Sequence, residues 1–187
     1  MVKFIKVEND DILELSDLAF DIWHEYWISL LSLVQIDYMV EKFQSENAIR
    51  NQIKTEHYTY FFINAEEENI GYFGLSLKQD YLFLSKLYIK ENFRHSGFGT
   101  QAFKFIKDFA LSNNYEKIIL TVNKKNRNAI DAYLKWGFEI IDSVETEIGE
   151  GFIMDDYIME YRFTPQQLKD KQEEEMESAR ASGENLL

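Results

Sequence analysis

The stretch "NFRHSGFGTQAFKFI" (92–106) decides how this chain is read. Arg94, His95 and Ser96 crowd donors against two glycines, Gly97 and Gly99, and a helical pattern follows at once. Ala102, Phe103, Ile106, Phe109 and Ala110 form its apolar stripe. A glycine turn that opens a helix leaves the N–H groups of the first turn free, and the helix dipole adds partial positive charge there. Gly97 and Gly99 let the backbone approach an anion closely and take φ > 0. Arg94, His95, Ser96 and Thr100 add side-chain donors. The pattern predicts a phosphate site; the plainer alternative is a turn that merely reverses the chain.

Upstream, "YFFINAEEENIGYFGLSLKQDYLFLSKLYIK" (60–90) reads as three apolar, aromatic-rich strands. Their connections, "AEEEN" and "KQD", are hairpin-sized, which predicts an antiparallel meander. Further back, "VKFIKV" (2–7) is a first strand and the pattern is helical from Asp10 to about Gln35. "IDYMVEKF" and "SENAIRNQI" are two short helical pieces, the second opened by Ser45 as an N-cap. Downstream, "KIILTV" (117–122) is a buried strand and "RNAIDAYLKW" (127–136) a short helix stopped by Gly137. "FEII" and "YIMEYRF" supply the last two strands. The fold class is therefore mixed α/β (α+β), an antiparallel half followed by strand–helix–strand crossovers. One domain is expected over 1–164. Pro165, the only proline, marks its end, and 165–187 is expected to be an acidic, polar tail or helix without a catalytic role.

Composition narrows the function. An apolar fraction of 45% in 187 residues supports a real core and excludes wholesale disorder. No apolar run is long enough to cross a bilayer, and "MVKFIKVENDD" has no signal-peptide core. Cysteine is absent, which excludes disulfides and thiolate nucleophiles and points to the cytoplasm. His24, His57 and His95 have no ligand spacing, so no metal is expected. The net charge of −13 argues against a nucleic-acid binder. Two basic islands nevertheless stand out: residues 86–107 and "NKKNRN" (123–128). Residues 139–156 are the reverse, rich in Asp and Glu with no Lys or Arg.

No G-x-x-x-x-G-K-[ST] is present, so a P-loop is excluded. Gly97 to Ala102 matches the G-x-G-x-x-[GA] of dinucleotide folds. Against that match, the next strand ends in Asn123 where a ribose-binding acid is wanted, and a meander precedes the loop. The wider context fits better. Arg94-His95-Ser96-Gly97-Phe98-Gly99 satisfies [RQ]-x-x-G-x-[GA], and Asn126, Ala129, Tyr133, Gly137 and Phe138 satisfy N-x-x-A-x-x-x-Y-x-x-x-G-F. In these motifs and their order, the chain resembles the GNAT superfamily of N-acetyltransferases from about Lys3 to Phe163.

The resemblance implies a central, mostly antiparallel mixed sheet of about seven strands with helices on both faces. It also implies acetyl-CoA as acyl donor and direct attack by an amine in a ternary complex. Leu87, Tyr88 and Ile89 would offer backbone groups to the pantetheine arm, and Arg94 to Thr100, Phe98 included, would hold the pyrophosphate. Asn126 and Ala129 would sit beside the arm, and Tyr133 would be the catalytic acid. A tyrosine packed on the core face of its helix is the competing reading.

The general base stays open: the fourth strand reads Phe83, Leu84, Ser85, Lys86 where some relatives carry a Glu, and His24 and Glu25 are candidates. Trp23, Tyr26 and Trp27 share one helix face and with Tyr38 could wall a substrate pocket, or form an aromatic core stripe. The opening helices and the "FIMDDYIMEYRF" ending also resemble PaiA-type polyamine acetyltransferases. A small cationic amine is therefore the expected acceptor. The alternatives are a protein N-terminus or lysine, and a non-catalytic acyl-CoA sensor. A homodimer is compatible with the resemblance.

Overall fold

The computed structural model describes residues 1–182. One seven-stranded sheet runs through it: β1 (Val2–Lys6), β2 (Tyr58–Ala65), β3 (Glu68–Leu77), β4 (Leu82–Ile89), β5 (Lys117–Asn123), β6 (Glu139–Gly149) and β7 (Phe152–Arg162), in the order β1-β2-β3-β4-β5-β7-β6. Every neighbouring pair is antiparallel except β4 and β5. The mixed, mostly antiparallel sheet expected from the sequence is present.

The helices are α1 (Ile12–Trp27), α2 (Leu33–Gln44), α3 (Glu46–Thr55), α4 (Phe98–Ser112), α5 (Arg127–Lys135) and α6 (Pro165–Ser182). They cover both faces. Phe61, Ile63, Phe73 and Leu75 point to the α4 side and pack with Phe103 and Ile106. Their neighbours Tyr60, Phe62 and Tyr72 point to the other side, against Ile12, Leu15, Ile22 and Ile49 of α1 and α3. Strand periodicity of two thus divides one aromatic run between two cores.

Two expectations need correction. The helical pattern from Asp10 to Gln35 is broken after Trp27, because Ser32 caps a new helix by accepting from the Gln35 N–H at 3.2 Å. Leu30 and Leu31 pack beside Trp23 and Met39, which is why the apolar spacing runs on across the break. The last two strands are also longer than "FEII" and "YIMEYRF". They extend through the acidic segment and meet at a turn in which Gly149, Glu150 and Gly151 all have positive φ. Most of β6 is solvent-exposed, so acidic side chains do not interrupt it. Ser45 caps α3 as expected, accepting from the Ala48 N–H at 3.3 Å.

Past Pro165 the chain forms α6, and residues 183–187 lie outside those described. Leu168 packs on the α4-side core and Gln167 donates to the Tyr161 hydroxyl at 3.2 Å.

Candidate active site

The site originates in a failure of pairing. β4 and β5 pair only at Leu82–Ile118 and Phe83–Ile119, then part. From Leu84 to Ile89, β4 keeps β3 on one side and presents an unpaired edge on the other. A bulge opposite Gly74 and Leu75 lies at the start of this free stretch. It turns the strand so that Leu84 faces the α4 core while Lys86 faces Tyr60 on the other side.

A cleft of about 710 Å³ fills the opening. Its lining includes Leu87, Tyr88, Ile89, Arg94, His95, Gly97, Gly99, Thr100, Asn126, Ala129 and Tyr133. Trp23, Tyr26 and Trp27 also line it, although both tryptophans are buried in the aromatic cluster of α1 and α2. They are pocket wall and core stripe at once. Ser96, Phe98 and Tyr38 are outside the lining. Ser96 is exposed at the loop tip, Phe98 packs edge-on to Phe93, and the Tyr38 hydroxyl donates to the Ile148 carbonyl of the β6–β7 hairpin.

The glycine loop has the backbone its composition demands. His95 and Gly97 have φ of +61° and +84°, and Gly97 is the N-cap of α4. Gln101 donates back to the Gly97 carbonyl at 3.1 Å, leaving the N–H groups of the preceding first turn directed outward. Arg94 behaves differently from a free phosphate ligand. Its guanidinium pairs with Glu25, donates from Nε to the Ile89 carbonyl at 2.7 Å and stacks 4.8 Å from the Tyr26 ring. It pins the loop to α1. Glu25 is thereby committed, since it also accepts from the Glu91 N–H at 3.0 Å. His24 turns to Asp37 at 2.7 Å and is not in the cleft lining.

Asn126 joins three parts of the site. Its Oδ1 caps α5 through the Ala129 N–H at 3.2 Å and accepts from the Tyr26 hydroxyl at 2.6 Å. Its Nδ2 makes no hydrogen bond among the described residues. Tyr133 lies edge-on to Trp136 and Phe138. Burial, and to a lesser degree Tyr26, pushes its pKa above the ordinary phenol value.

Two lining residues carry chemistry that the sequence reading did not assign. Asp156 is 5% exposed, and its Oδ1 has no hydrogen-bond partner among the described residues. Burial, reinforced by Asp155, raises its pKa to about 6. Lys86 is 7% exposed and among the described residues bonds only neutral groups, the Gln52 amide oxygen at 3.1 Å and the Tyr60 hydroxyl. Burial lowers its pKa to about 7. The Trp27 indole nitrogen lies near the Tyr88 hydroxyl, but the geometry falls short of a hydrogen bond and the buried N–H has no partner among the described residues. An acidic or basic letter in an apolar strand was the available signal for Asp156 and Lys86. Strand period alone does not say which of them turns inward.

Residues 19–138 match the model of the Acetyltransferase (GNAT) family. The chain belongs to that family. It is an N-acetyltransferase, and acetyl-CoA is the co-substrate of that chemistry. It is 38% identical over 65 residues to Probable N-acetyltransferase san of Drosophila melanogaster, a match spanning 34% of this chain and 35% of that protein. An uncharacterized N-acetyltransferase in the pepI 3′ region of Lactobacillus delbrueckii subsp. lactis is 22% identical over 144 residues, covering 73% of this chain and 83% of the relative. The fold is shared with the PaiA N-acetyltransferase of Thermoplasma acidophilum, determined in complex with coenzyme A: TM-score 0.74, 18% identity, 87% of this chain and 99% of that one. Among the described residues of this GNAT protein, no helix is long and apolar enough to cross a membrane, and no three His, Asp or Glu side chains converge to hold a metal.

Proposed function

We propose that this enzyme acetylates a small cationic amine, of the polyamine class, by direct attack within a ternary complex. The observation that carries this reading is the wedge between β4 and β5, an open strand edge that runs into a glycine loop with Tyr133 and Asp156 lining the same cleft. Acetyl-CoA supplies an activated thioester carbonyl. The free edge of Leu87 to Ile89 offers main-chain groups to an extended amide-bearing arm, as an absent strand would use them. The N–H groups at the start of α4, with Ser96 and Thr100 beside them, suit a pyrophosphate. His95 stands at the same end, and exposed Lys125 and Arg127 add positive charge near α5. Asn126 Nδ2 faces the arm.

Tyr133 acts as the acid. Its raised pKa keeps the phenol protonated at physiological pH, ready to donate to the departing sulfur. The unpartnered Oδ1 of Asp156 suits the ammonium of the acceptor, and Trp23 and Trp27 wall its approach. The exposed acids of β6 concentrate cations at the rim. The shared fold with the PaiA enzyme supports the same reading.

The test is release of CoA thiol from acetyl-CoA across a panel of amines, in an assay free of protein thiols because the chain has no cysteine. Turnover of spermidine or a diamine is expected. Tyr133→Phe is expected to lower kcat by on the order of 10²-fold at unchanged acetyl-CoA affinity. Failure of spermidine, spermine and diamines while a peptide N-terminus reacts would overturn the polyamine acceptor in favour of a protein one.

A further inference from the structure

We propose that Lys86 is the proton acceptor for the attacking amine: its Nζ, held by Gln52 and Tyr60 at the closed end of the β4–β5 wedge, keeps one valence open to the cleft. The proposal rests on the acetyl-transfer reading above.

Three observations carry it. The first is position. Phosphates held at the glycine loop would lie beyond Ile89, so an arm bound along the free edge would run back toward Ser85. The wedge closes at Phe83–Ile119, which stops the acyl end at about Ser85 and Lys86, ~13 Å from Ile89 by strand rise. Asp156 sits on β7, on the far side of β5 from that edge.

The second is valence. Tyr60 donates its hydroxyl proton to Gln52 Oε1, so its oxygen is an acceptor for Lys86; Gln52 Oε1 accepts a second bond from Nζ at 3.1 Å. A neutral amine has two N–H donors and one lone pair. Both donors are engaged, and the lone pair is the group left over in a residue that lines the cleft. The ammonium form would instead leave its third N–H without a partner among the described residues.

The third is charge. Lys86 makes no ion pair with any described carboxylate; it lies 5.0 and 4.9 Å from the ring centroids of Tyr58 and Tyr60. The titratable groups around it are Tyr58 and Tyr60 on β2 and, through space, the exposed Glu56 after α3, which opposes the effect of burial. With its pKa near 7, the lysine is substantially uncharged at neutral pH. The amine brings its own counter-group problem: an ammonium has no lone pair and cannot attack.

The protons balance. The acceptor ammonium loses one proton to Lys86 Nζ, which returns it to water after turnover. The nitrogen lone pair forms the C–N bond as the C–S bond breaks. The departing sulfur takes the Tyr133 proton, and the second proton shed by the nitrogen restores the phenol.

The experiment is the pH profile of kcat/KM, from roughly pH 5.5 to 9.5, for wild type, Lys86→Met, Lys86→Arg and Asp156→Asn, with acetyl-CoA affinity measured in parallel. Wild type is expected to lose activity below about pH 7 as Lys86 protonates. Lys86→Met should fall by about 10²-fold at high pH and lose that limb while binding acetyl-CoA within about twofold of wild type. Lys86→Arg keeps the length and charge but has no lone pair, so it should not rescue. Asp156→Asn should raise KM and keep the limb. A Lys86→Met or Lys86→Arg enzyme that retains the limb overturns the base alone, as does loss of the limb in Asp156→Asn only. Absence of wild-type turnover with every amine overturns the transferase reading and the base with it. Nitrogen NMR of Lys86 in the wild-type CoA complex is independent of variant folding: titration near pH 7 is expected, and an ammonium persisting at about pH 9 overturns the proposal.

Discussion

At Asp156 the cleft holds a carboxylate that the fold alone would be better without. Burial raises its pKa to about 6 from an ordinary value near 3.8. The native state therefore binds this proton more tightly than the unfolded chain does. The stability it contributes is present at low pH and lost as pH rises between about 4 and 6, an amount of about 2–3 kcal/mol at 1.36 kcal/mol per unit. Asp156→Asn is accordingly expected to unfold at higher urea than wild type at pH 7, with the gap closing toward pH 4, while its KM for a cationic amine rises. Urea melts at the two pH values check the first part and steady-state kinetics the second. Tyr133 is the opposite case, because burial strengthens the protonated form that its proposed role as acid requires. Its motif position was legible in the sequence. The roles open to Asp156 and Lys86 were not, since they depend on what surrounds each side chain.

The glycine loop was the most legible element, and its conformation follows from its residues. A Cβ on Gly97 would meet no atom within 4 Å, so the glycine is needed for φ of +84° and not for space. Gly97→Ala is expected to cost about 1–2 kcal/mol of stability and to weaken acetyl-CoA binding by roughly tenfold as the loop relaxes. Calorimetric titration and thermal unfolding measure both. Gly74 differs. A Cβ there would lie 2.7 Å from the Tyr60 ring, so the bulge needs glycine for close approach to the residue that holds Lys86. Helix limits were less legible. "ISLLS" keeps helical apolar spacing, and only the Ser32 cap and the packing of Leu30 and Leu31 reveal the break. The acidic β6 reads as loop because its inward contacts are few, yet β7 pairs with it over most of its length.

Across the whole molecule, the charge of −13 is arranged rather than spread evenly. Within the basic islands, Lys90 pairs with Glu68, Arg94 with Glu25 and Lys124 with Asp155, so part of their charge holds the loop and the sheet end in place, while Lys125 and Arg127 stay exposed. The acids of β6 stay in solvent. For a polyamine acceptor, kcat/KM is expected to fall several-fold between low and about 0.15 M ionic strength. Replacing Asp142, Glu145 and Glu147 with their amides should flatten that dependence and leave kcat little changed. Rates measured across a salt series, with an uncharged amine as reference, test the arrangement.

The sequence by itself determined the family, the glycine loop at the mouth of α4, the alternating faces of the meander and the tyrosine of the second motif. These are local patterns, written in residue spacing and backbone preference. Tertiary structure decided the chemistry around them. Arg94 meets Glu25, Tyr26 meets Asn126 and Lys86 meets Gln52 only after distant segments fold together. Likewise, an unpaired strand edge exists only where two strands begin to pair and then part. Burial, which sets the protonation of Tyr133, Asp156 and Lys86, is a property of the packed molecule and not of any one stretch of chain.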